Sequence, residues 1–147
     1  MKLSRFLTPV LSLLFTSFAV AAPVPLVFDV QTSPFTLIDV GTPGPGVGDT
    51  TVFDDRLFQE GKEVGSGSGF CTITRFAPEQ EHPFKLSCTA TYVLPGGTVA
   101  VQGIMTNSPL KTLTVVGGSG TYLGATGTLE FLEHGDGTGK VTLHLQP

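Results

Sequence analysis

From Leu26 onward the chain is a succession of runs rich in Val, Thr, Leu and Phe, each cut off by Gly, Pro or Asp. No window carries apolar residues at a sustained 3.6-residue spacing. That pattern excludes a helical fold and calls for strands. The runs fall at Leu26–Gln31, Thr51–Gln59, Glu63–Phe76, Phe84–Leu94, Thr98–Met105, Lys111–Gly117, Thr126–Glu133 and Lys140–Gln146. Short links such as Pro95-Gly96-Gly97 and Gly135-Asp136-Gly137-Thr138-Gly139 make sequential neighbours antiparallel. Eight such strands are enough to close a small barrel that holds one ligand, so the expected fold class is an all-β, eight-stranded antiparallel barrel. Between Thr32 and Gly48 lie Pro34, Pro43, Pro45 and four glycines, which suits a loop over the barrel mouth, with Phe35–Val40 as a short extra strand.

Composition narrows the classes further. Charged residues make up 14% of the chain and hydrophobic residues 40%, so a core can form and disorder is excluded. Eight Lys plus Arg against twelve Asp plus Glu give a net charge of −4, and the cations are scattered. No basic field exists to hold a phosphate backbone, which excludes nucleic acid as a partner.

Lys2 and Arg5 precede an apolar run from Phe6 to Val20, and Ala19-Val20-Ala21 supplies the small residues of a cleavage site. Residues 1–21 therefore read as a secretory signal peptide, followed by residues 22–48 as first strand and Pro/Gly-rich loop, and 49–147 as the rest of one barrel domain. The run holds Thr8, Pro9, Ser12, Thr16 and Ser17 and falls short of the roughly 20 apolar residues a span needs. The expected destination is extracellular, with no membrane attachment after cleavage.

Export favours oxidation of Cys71 and Cys88. Their midpoint falls in the polar segment Ala77–His82, flanked by Pro83, so a hairpin centred there sets the two opposite each other as a cross-strand disulfide. Period-two alternation then sorts the faces. Phe84, Leu86, Cys88, Ala90, Tyr92 and Leu94 share one face, as do Val141, Leu143 and Leu145. Phe53, Asp55 and Leu57 also share a face, which sets an acid among apolar neighbours. An inward carboxyl must be paired, solvated or raised in pKa, and in a ligand cavity Asp55 becomes a candidate general acid or base. The structural alternative places it at the rim, solvated or paired with Arg56 or Arg75.

Three other patterns carry no chemistry. Val115–Gly120 with Gly124 looks like a dinucleotide turn, but a strand follows it where a helix is required. Gly65-Ser66-Gly67-Ser68-Gly69 lacks the spacing of a nucleophile elbow and reads as a twisted or bulged strand. Glu133, His134 and Asp136 cluster at a hairpin tip without ligand-spaced partners, so no metal site is expected.

With Gly48-Asp49, VFDDRLF at 52–58, KEVGSGSGFCTITR at 62–75, ATYVLPGGTVAVQG at 90–103 and LTVVGGSGTYLGATGTLEF at 113–131, the chain resembles the allene oxide cyclase barrel family, to which plant dirigent proteins are related. The resemblance implies a barrel lipocalin-like in shape, often trimeric. Its apolar interior folds a flexible substrate for ring closure or stereoselective coupling by positioning, without a cofactor. It also implies that the pocket Glu and Asn of the first strand correspond to Asp29 and Gln31. The pocket Phe and Asn of the second correspond to Phe53 and Asp55, and the pocket Cys of the third to Cys71. A family Phe is replaced by Cys88 and a family Tyr by Met105, and the basic residue that dirigent proteins often carry after the glycine turn is missing from Thr121–Thr126.

Two functions follow as expectations. The first is a secreted isomerase, cyclase or dirigent-type protein with Asp29 and Asp55 as catalytic residues and Gln31, Phe53, Tyr92, Met105 and Leu143 contacting an apolar small molecule. The second is a non-catalytic carrier of a hydrophobic ligand or an extracellular interaction module.

Overall fold

The computed structural model describes residues 24–146. The proposed signal peptide lies outside them. The strands are β1 (Leu26–Gln31), β2 (Thr36–Ile38), β3 (Thr50–Gln59), β4 (Lys62–Phe76), β5 (Phe84–Leu94), β6 (Gly97–Thr106), β7 (Leu110–Gly120), β8 (Thr126–Glu133) and β9 (Thr138–Gln146). Among the described residues there is no helix.

Every pairing is antiparallel, and the order β1-β9-β8-β7-β6-β5-β4-β3 closes through a β1–β3 contact into an eight-stranded barrel. Closure is shared along one edge of β3: Arg56–Phe58 pair with β1, while Thr50–Val52 pair with the short β2. β2 is the extra strand expected within Phe35–Val40, and it extends the wall at the mouth. Turn chemistry explains the tight connections. Glu60 and Gly61 have φ of 50° and 76°, the positive values that a two-residue turn between right-twisted strands requires. The Gly-rich run of β4 begins at a register shift opposite Leu57 and Phe58, so it is a bulged strand as its composition suggests.

Cys71 and Cys88 are direct partners in the β4–β5 register, and they form a disulfide with an S–S distance of 2.07 Å. The faces alternate as the sequence pattern requires. Leu57, Val99, Val101, Leu129, Val141 and Leu143 are fully buried and pack with Phe28, Val30, Leu94 and Val115 into the core. Complete burial of each Leu or Val contributes about 1.5–3 kcal/mol, so this packed part of the lumen supplies a large share of the fold's driving force.

Candidate functional site

The rest of the lumen is hollow. A cavity of about 420 Å³ opens at the end of the barrel where β1, β4, β6 and β8 finish and β3, β5, β7 and β9 begin. Inward positions on β4 beside it are glycines, whose places are taken by side chains of the neighbouring β5. Across β3, β4 and β5, Phe53 stands beside Gly69 and then Ala90, and Asp55 beside Gly67 and then Tyr92. A Cβ on Gly67 would lie 2.5 Å from the Tyr92 ring, so only glycine lets that ring cross β4 towards Asp55. The walls are otherwise apolar, with Phe53, Leu86, Met105, Leu113 and Phe131 among them, and the disulfide sulfurs belong to the same wall.

Two acids precede or lie on β3 with the same inward phase. Asp49 is fully buried at the mouth, where its Oδ1 accepts from Val40 N at 2.9 Å and its Oδ2 from Gly46 N at 2.8 Å. Its own backbone is bound to Ile73 of β4, through Ile73 N donating to Asp49 O at 2.8 Å. Asp49 thereby pins the 40–46 segment over the opening. Asp55 is 7% exposed and accepts one hydrogen bond, from Ser33 N at 2.9 Å, while the Ser33 hydroxyl accepts from Asp54 N. Burial holds the Asp55 carboxyl above the usual carboxylate range, opposed by the Ser33 hydrogen bond and reinforced by the negative Asp54 and Glu133 nearby. Burial, then the charge of Asp55, also pushes the Tyr92 phenol well above its usual range, so Tyr92 stays protonated. Among the described residues neither the Tyr92 hydroxyl nor the second Asp55 oxygen has a side-chain partner. Both are offered to a molecule in the cavity.

Lys111 and Glu133 complete the polar lining. The Lys111 ammonium is bound to Glu133 Oε2, donates to Ser108 O at 3.0 Å, and lies 5.6 Å from the centre of the Phe131 ring. Its side chain is 10% exposed, against 38% for Glu133. The sequence pattern gives Asp49 and Lys111 no role in the site and sets Glu133 at the hairpin tip. Each continues a period-two inward series, Asp49-Thr51-Phe53-Asp55, Lys111-Leu113-Val115 and Leu129-Phe131-Glu133, and that phase was the available signal. His134 and Asp136 do stay at the tip, both bonded to Thr138.

The structure brings Phe53, Asp55, Tyr92, Met105, Cys71 and Cys88 together around the cavity. Three expected positions are corrected. Asp29 and Gln31 face outward: Asp29 is 68% exposed beside Lys140, and Gln31 Oε1 accepts from Arg56. Their strand turns Phe28 and Val30 inward instead, because burying two apolar side chains is favourable and burying a carboxylate and an amide is costly. Leu143 is inward but belongs to the packed part of the lumen and lines none of the cavity. Arg56, one alternative partner for Asp55, is outside the barrel and bound to Glu63.

The sequence profile of the family described as "Allene oxide cyclase barrel like domain" matches residues 24–142. The chain belongs to that family. Among solved structures, a pyocyanin demethylase is 29% identical, with 84% of this chain and 100% of that one covered and a TM-score of 0.76. A Diels–Alderase from Streptomyces koyangensis is 17% identical, covering 83% of this chain and 63% of its own, with a TM-score of 0.66. A pterocarpan synthase dirigent protein is 19% identical, covering 83% and 82%, with a TM-score of 0.59. The latter two likenesses are of fold. No curated protein sequence matches. Within this allene oxide cyclase-like barrel, a carboxyl with a raised pKa beside a protonated phenol suits the pair to hold or move a proton on a bound molecule.

Proposed function

We propose that this allene oxide cyclase-like barrel binds an apolar, oxygenated small molecule and guides its rearrangement, by cyclisation or stereoselective coupling, without a cofactor. The observation that carries the reading is Asp55, a carboxyl whose pKa is raised by burial, inside a cavity of about 420 Å³ with otherwise mostly apolar walls. In this reading Asp55 is the general acid and base and Tyr92 donates a hydrogen bond to a developing negative oxygen. Phe53 and Met105 fix the shape of the bound molecule. Holding reacting atoms in one geometry supplies much of the rate enhancement in such chemistry. The similarity to enzymes that act on small molecules supports it.

The experiment is to offer the purified protein a fatty-acid epoxide or a phenolic radical, with native mass spectrometry to detect retention and chiral chromatography to detect conversion. Conversion lost in Asp55→Ala and retained in a surface variant such as Asp29→Ala supports catalysis by Asp55. Unchanged turnover in Asp55→Ala removes its role. The second reading, a carrier, is favoured by the same apolar cavity and predicts stoichiometric retention of the ligand unaltered.

The protein is proposed to be secreted after cleavage following Ala21, leaving one barrel domain that begins at residue 22; the disulfide supports an oxidising destination. N-terminal sequencing of exported material checks it. Self-association, as a trimer, is proposed through the outer face where Val52, Phe70 and Ile104 stand exposed, and sedimentation equilibrium measures it.

A further inference from the structure

The ring order sets Asp55 on β3 and Lys111 on β7 four strands apart in either direction, so they belong to opposite walls of the lumen. The cavity therefore carries polar groups on two facing walls, with Leu86 and Met105 on the strands between them and Asp49 and Thr51 also in its lining. The Asp55 side offers a carboxyl and the Tyr92 hydroxyl. The Lys111 side offers an ammonium, and Asn107, whose Oδ1 accepts from Phe84 N, also lines the cavity.

The burial of the Lys111–Glu133 pair is lopsided. An ion pair built only to stabilise a hairpin gains nothing by drawing the cation inside, since desolvating an ammonium is costly. Here the carboxylate sits at the rim and the ammonium is drawn in, one-tenth exposed, over Phe131. An ammonium has three N–H donors, and the protein occupies two of them, through Glu133 and Ser108. Lys111 also lines the cavity, and its third donor has no protein acceptor among the described residues.

We infer that the molecule bound here is amphipathic and carries an ionised oxygen, a carboxylate, phenolate or enolate, which Lys111 binds while the apolar body crosses the lumen towards Asp55. This rests on the cavity being a ligand site, as proposed above, and goes further by naming the ligand class and the residue that selects it. Glu133 then has a second effect. It shares the ammonium with the ligand and so weakens the anion's hold, which makes the two partners of one ion pair act in opposite directions on binding.

Two fluorescent probes test this on the purified chain. 1-Anilinonaphthalene-8-sulfonate and N-phenyl-1-naphthylamine share one aromatic body and differ by the anionic group. The sulfonate is expected to bind more tightly. Lys111→Met should weaken it about tenfold and leave the neutral probe within about twofold, whereas Glu133→Gln should tighten the sulfonate about threefold. Retained binding of the neutral probe shows that each variant is folded. Should Lys111→Met fail to fold, Glu133→Gln decides alone: tighter sulfonate binding supports the assignment and unchanged binding overturns it. Equal binding of both probes by the unmodified protein, or equal loss of both in Lys111→Met, also overturns it. Failure of the unmodified chain to bind either probe removes the cavity reading, and this assignment with it.

Discussion

Asp49 and Asp55 share an inward phase yet differ in their hydrogen-bond partners. Two backbone N–H groups converge on Asp49, whereas Asp55 receives one and is otherwise surrounded by apolar wall. Removing the Asp49 carboxylate leaves the Val40 and Gly46 donors without their acceptor, so Asp49→Ala should cost about 3 kcal/mol in urea denaturation. Proteolysis within residues 40–46 should speed up at the same time; an unchanged rate would show that this latch does not hold the segment. Asp55 predicts a pH dependence. Its folded pKa is raised, so the native state binds more protons than the unfolded chain between the ordinary and the raised value, and stability falls as pH rises through that window. Asp55→Asn keeps the acceptor for Ser33 N and abolishes the titration. The variant should lose less stability than the parent as pH rises from below the ordinary carboxylate range to neutrality, while any proton-transfer activity disappears. Denaturation midpoints measured across that range check the slope, and parallel curves for the two proteins would contradict it.

The β4–β5 hairpin carries both the staple and the hollow. Its disulfide closes a loop of sequence separation 17, for which the chain-entropy estimate is about 3 kcal/mol. Replacing both cysteines by Ala should lower stability by that order, and alkylation followed by mass measurement should find no free thiol in the parent. This hairpin was legible in the sequence because its alternation is unbroken from Phe84 to Leu94 and because a polar, Pro-bounded segment lies midway between the cysteines. β1 was equally legible from its own pattern, since Phe28 and Val30 alternate with Asp29 and Gln31. It was misplaced where family correspondence overrode that phase by one residue, which turns every side chain to the other face. Lys111 was obscured for a different reason. A lysine at the start of a strand normally reads as a solvated end, and its burial depends on Phe131 and Glu133 of a neighbouring strand. Strand periodicity predicts the direction of a side chain. What meets it there is a property of the closed barrel.

At the scale of the whole molecule, the barrel divides a packed core from a hollow along its own lumen. The packed part holds Leu57, Val99, Leu129, Val141 and Leu143, none of which touches the cavity. The hollow part is lined by Phe53, Asp55, Leu86, Ala90, Met105 and Leu113, among others. A fold whose driving force came equally from both parts would lose stability wherever volume changed, whereas this arrangement predicts that two substitutions separate cleanly. Leu129→Ala opens a void among fully buried neighbours and should cost about 2–5 kcal/mol in urea, with little change in the binding of a neutral aromatic probe to the protein that remains folded. Ala90→Leu adds volume into space that is already empty, so the usual overpacking cost is reduced and stability should shift by less than about 1 kcal/mol, while probe binding weakens by about tenfold or more. The two readouts must cross for the division to hold. If Ala90→Leu destabilises the chain as strongly as Leu129→Ala, the hollow is as tightly packed as the core and has no room for a guest. If it leaves binding untouched, the probe occupies some other surface, and the cavity between Asp55 and Lys111 is not where the protein takes its ligand.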